Sequence, residues 1–113
     1  MASTGLRGPF ALITATIDGV VTKTSPGAYA LGWMDENRTF RIQYVGRADD
    51  DVNKRLKDWA PANYPEFKFE YYRSAELAYR KECDLYHDFN PPDNVNHPAS
   101  PKGSNRSCLR CGK

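Results

Sequence analysis

Two tyrosines, an arginine and a glutamate are spaced so that one small fold can bring them together. Tyr29 and Tyr44 each sit beside glycine, in Gly27-Ala28-Tyr29 and Tyr44-Val45-Gly46-Arg47. Arg55 follows in Val52-Asn53-Lys54-Arg55-Leu56, and Glu82 in Lys81-Glu82-Cys83-Asp84-Leu85. Metal-assisted hydrolysis of a phosphodiester uses these residue types. A carboxylate holds a hard cation. A guanidinium neutralises charge on phosphoryl oxygens. A phenol orients water, or deprotonates it when nearby cations lower its pKa. Gly27 and Gly46 leave bare backbone beside each phenol, where a bulky ligand can approach.

Each residue also has a plainer reading. Strand tyrosines are ordinarily core or interface residues. A lone helix arginine is ordinarily solvated. Glu82 has Ala78 four residues before it and Leu85 and Phe89 three and seven after it, which puts it in the middle of an apolar helix stripe. A carboxylate there is costly unless it is paired, hydrogen-bonded or bound to a metal. An arginine, water at the stripe edge or a cation would each meet that need.

The elements that must position these residues are legible as alternating patterns. Ala28 to Met34 sets Tyr29, Leu31 and Trp33 against Ala28, Ala30 and Gly32, a strand with one crowded and one bare face. Phe40, Ile42 and Tyr44 alternate with Arg41 and Gln43 in a second strand, joined antiparallel to the first across Asp35-Glu36-Asn37. Asp49 begins a helix running to about Trp59, with Val52, Leu56 and Trp59 as its apolar stripe and Pro61 beyond its end. Phe67 to Tyr72 reads as a third strand. Ser74 caps a helix running to about Phe89, stopped by Pro91-Pro92. Phe10 to Val21, rich in Ile, Val and Thr, predicts two further short strands about an Asp18-Gly19 turn.

This order predicts an α/β (α+β) domain whose small, mostly antiparallel three-stranded sheet is flanked by helices. Residues 1–25 form an N-terminal β extension, 26–90 the core and 91–113 a polar tail, extended or loosely attached. The 113 residues suit a single domain. Sixteen Lys and Arg against 14 Asp and Glu leave a net charge of +2, which permits nucleic-acid binding through a local patch without requiring it. No apolar run approaches the ~20 residues that span a bilayer, and the first residues lack a signal-peptide apolar stretch. Three cysteines, an odd number, read as reduced thiols of a cytoplasmic protein. Cys108-x-x-Cys111 is half a zinc site, which Cys83 and His97 would complete if the tail folded back. A flexible tail and a redox pair are the other readings of that motif.

Taken together, residues 26 to 97 resemble the GIY-YIG endonuclease superfamily. Gly27-Ala28-Tyr29 stands in for its first motif and Tyr44-Val45-Gly46 for its second. Arg55 matches the helix arginine, Glu82 the metal-binding glutamate, and Asn94 or Asn96 the asparagine that follows it. The resemblance implies a metal-dependent endonuclease acting on DNA, with Mg²⁺ or Mn²⁺ on Glu82. It implies that Tyr29, rather than Tyr44, handles the attacking water, and that Arg41, Arg47 and Lys54 meet backbone phosphates. So short a nuclease would rely on a protein partner or a second domain for targeting. Trp59 stands where many members carry a histidine, and a tryptophan is no general base. That substitution motivates the alternative, a catalytically reduced nucleic-acid-binding module of the same fold. A third reading is an unrelated small α/β protein whose tyrosines are core.

Overall fold

The computed structural model describes residues 5–59 and 64–94. In chain order these form β1 (Arg7–Ala11), α1 (Thr14–Val20), β2 (Gly27–Met34), β3 (Phe40–Ala48), α2 (Val52–Trp59), β4 (Glu66–Tyr71) and α3 (Ala75–Phe89). The strands make one sheet in the order β1-β4-β2-β3, antiparallel throughout.

The sheet departs from the expected three strands. Among the described residues it has four, because Arg7–Ala11 pairs with β4. The two strands expected around Asp18-Gly19 are instead one strand and one helix. Ile13, Ile17 and Val20-Val21 recur at helical spacing, and Ile17 and Val21 are buried. Asp18 turns no chain. It faces α2 from α1, forming an ion pair with Lys57 and accepting a hydrogen bond from Asn53 Nδ2.

The other helices start where side-chain caps place them. Asp51 Oδ1 accepts from the Asn53 and Lys54 amides, so α2 begins at Val52 rather than at Asp49. Ser74 accepts from the Leu77 amide and caps α3, as expected. Asn90 closes α3 in the left-handed conformation.

The two faces of the sheet bury different partners. Tyr29, Leu31, Phe67 and Phe69 pack with Ile17 and Val21 beneath α1 and with Val52 and Leu56 of α2. Gly27 permits that approach, since a Cβ there would lie 3.0 Å from Val52 Cβ and 2.7 Å from the Glu70 carbonyl. Ala30, Ile42 and Val45 pack with Leu85 on the opposite face, under α3. The small residues read as the bare face of β2 are what let α3 lie close.

A bulge decides which side chains reach which face. Leu31 stands opposite Tyr44 but Gly32 opposite Ile42, so Gln43 is an extra residue in β3. The expected single alternation of Phe40, Ile42 and Tyr44 is therefore broken. Phe40 and Ile42 belong to the α3 face, and Tyr44 to the α2 face. Past the bulge, Val45 and Arg47 point toward α3.

Candidate active site

Tyr29 is held from two sides. Its ring lies over Gly46, the residue opposite it in β3, where an added Cβ would come within 2.5 Å of the hydroxyl. Its oxygen accepts a hydrogen bond from Trp59 Nε1 at 2.9 Å. The residue is 1% exposed. Burial raises the Tyr29 pKa well above the ordinary phenol value, and the Trp59 bond and the Arg55 charge only partly oppose it. At neutral pH Tyr29 is a neutral phenol.

Tyr44 lies against the same indole, with ring centroids 4.8 Å apart, and is only half-buried. Burial raises its pKa first and the Glu82 charge adds to that, while the Arg55 charge opposes it. Tyr44 therefore lies within the fields of both the glutamate and the arginine. Arg55 itself is 55% exposed, and its nearest described carboxylate partner, Asp58, is 3.8 Å away. An exposed pair at that distance contributes little, and the guanidinium also reaches the Tyr29 hydroxyl.

Glu82 occupies the buried position expected from the stripe, at 7% exposure. Its Oε1 accepts from Arg47 Nη1 at 2.7 Å, and Arg47 Nε donates to Asp49 Oδ1 at 2.7 Å. The Arg47 guanidinium also lies 5.1 Å from the centre of the Tyr79 ring. Burial works against its charge, but Asp49 and then Glu82 outweigh burial and raise its pKa, so it stays ionised. The expectation that Arg47 meets backbone phosphates does not hold in this arrangement. The bulge turns Arg47 toward α3, where it bridges two carboxylates.

The structure brings Tyr29, Tyr44 and Arg55 together on the α2 face, while Glu82 is paired with Arg47 on the α3 face and reaches Tyr44 only through its charge. Asn94 braces the strand between them. Its Oδ1 accepts from the Val45 amide at 2.8 Å and its Nδ2 donates to the Val45 carbonyl at 3.0 Å. The Asp93 amide bonds the Gln43 carbonyl in the same way, so the first described residues of the expected loose tail run along β3 and close its free edge. Arg41 is paired with Asp35 near the hairpin turn, and Lys54 is exposed on α2. Asn96, His97, Cys108 and Cys111 lie outside the described residues.

Three contributors were not anticipated from sequence: Asp49 and Tyr79 around Arg47, and the Trp59 indole as a donor to Tyr29. Trp59 was detectable in part, since it follows Arg55 by one helical turn. Among the described residues no cluster of three or more His, Cys, Asp or Glu side chains has the form of a metal site, and no helix is long and apolar enough to cross a membrane. No protein-family model matches the chain, and neither the curated proteins nor the solved structures contain a significant match.

Proposed function

We propose that this chain is a metal-dependent endonuclease that hydrolyses phosphodiester bonds in DNA. The observation that supports this reading is that the edge strand β3 has a buried carboxylate, Glu82, on its α3 side and a half-buried phenol, Tyr44, with the exposed Arg55 on its α2 side, the charges of both reaching the phenol. Glu82 is the carboxylate this reading assigns to a hard divalent cation, and Mg²⁺ commonly takes only one or two protein carboxylates beside substrate oxygens and water. When bound, such an ion would polarise the scissile phosphate and stabilise the leaving oxygen. Glu82 would hold it, kept in orientation by Arg47. Arg55 neutralises charge on the non-bridging oxygens in the transition state. A neutral tyrosine hydroxyl orients the attacking water by hydrogen bonding, because neither phenol is ionised at neutral pH.

One observation favours the alternative, a nucleic-acid-binding module without turnover. Tyr29, the tyrosine expected to meet water, is almost wholly buried. Incubation with supercoiled plasmid separates the readings. Nicking with Mg²⁺ that stops on chelation is the expected result. A gel shift without nicking favours the module, and neither binding nor nicking removes both.

A further inference from the structure

The contact between Trp59 and Tyr29 carries a consequence for how the two tyrosines divide their work. An indole N–H donates and never accepts. With Trp59 Nε1 placed 2.9 Å from the Tyr29 oxygen, that oxygen is an acceptor and position 59 offers no base to take the phenol proton. The indole is itself fixed. Tyr44 packs on it at 4.8 Å and Tyr64 at 6.1 Å, and the Tyr64 hydroxyl donates to Asp93 Oδ2 at 2.6 Å. From beneath, Gly46 backs the phenol, and a Cβ added there would lie 2.5 Å from its hydroxyl. Tyr29 is thus clamped in place and closed to solvent. Tyr44 shares the same indole, remains half-exposed and lies under the charges of Glu82 and Arg55.

We propose that Trp59 is a positioning residue that holds Tyr29 as a neutral hydrogen-bond acceptor, and that Tyr44, not Tyr29, presents its hydroxyl to the nucleophilic water. The second half rests on the nuclease reading; the first does not. Burial, which disfavours the Tyr29 phenolate, acts in the same direction.

The chain has two tryptophans, so its ¹⁵N spectrum has two indole signals, with Trp33, 41% exposed, as the internal control. Trp33→Phe assigns them. The Trp59 indole proton is expected to exchange with solvent at least about tenfold more slowly than that of Trp33. Its shift is expected to stay flat up to about pH 10, the ordinary phenol value. Tyr29→Phe should move the signal and remove the protection. Exchange as fast as that of Trp33, or an inflection between about pH 7 and 9, overturns the clamp. In plasmid cleavage, Tyr44→Phe is expected to lower kcat at least about tenfold more than Tyr29→Phe; the reverse order overturns the division of roles. A wild-type chain that cleaves nothing while its Trp59 indole stays protected upholds the clamp. It refutes the nuclease reading and, with it, the role given to Tyr44.

Discussion

The two faces of the sheet position their side chains by different physics. Toward α2, Tyr29, Tyr44 and Trp59 are neutral and are set by ring packing, one N–H···O bond and the absence of a side chain at Gly46. Toward α3, Glu82, Arg47 and Asp49 are charged and are set by two short ion pairs at the edge of the core. The neutral side tolerates salt and neutral pH but not added volume. The charged side tolerates volume changes better but not the loss of a partner. The two systems touch where the charge of Glu82 reaches Tyr44.

The largest effect should come from breaking the charged side. Arg47→Ala leaves Glu82 and Asp49 without the cation that bridges them, and is expected to cost about 3–5 kcal/mol in urea unfolding. Addition of Mg²⁺ should recover part of that loss, since a divalent ion can replace the missing charge. The aromatic side is probed next by Gly46→Ala, whose methyl would collide with Tyr29. About 2–3 kcal/mol is expected, with no recovery by Mg²⁺.

Alkaline pH sharpens the contrast further. The Tyr29 pKa is raised in the folded chain, so its neutral form contributes stability that is present below about pH 10, where unfolded tyrosine titrates, and is lost as pH rises above that value. Stability should fall by up to about 1.4 kcal/mol per pH unit there on account of Tyr29, and Tyr29→Phe should flatten that limb in pH-dependent unfolding. The smallest stability effect belongs to Arg55→Ala, within about 0.5 kcal/mol, because its pair with Asp58 is exposed and long. The same variant should nevertheless lower DNA cleavage by at least about a hundredfold in a plasmid assay.

Much of this arrangement is written locally in the chain. The alternation of Tyr29 and Leu31 with Ala28 and Ala30, the Ser74 cap and the apolar stripe around Glu82 each depend on neighbours within one helical turn or one strand, and the structure keeps all three. What was not legible depends on pairing across the chain. The Gln43 bulge exists only in the register of β3 against β2, and it alone puts Tyr44 on the face opposite Ile42 and Arg47 on the same face as Ile42. Arg47 and Glu82 are 35 residues apart, and no local pattern announces their bond. Thr14–Val20 carries β-prone residues at helical spacing, and docking of Asp18 onto α2 favours the helix. Asn94 resembles a site residue in sequence, yet its amide matches the unpaired edge of Val45 and braces the strand that carries Tyr44 and Gly46.

The claim at the centre is that Glu82 serves chemistry as well as the ion pair with Arg47. Its most direct test is cleavage of supercoiled plasmid in Mg²⁺ by Glu82→Gln, a change that keeps the shape and an acceptor oxygen for Arg47 but removes the charge. The expected result is a folded protein with DNA affinity within a few-fold of wild type and a cleavage rate lower by at least about a hundredfold. A folded Glu82→Gln protein that nicks plasmid at the wild-type rate would contradict it.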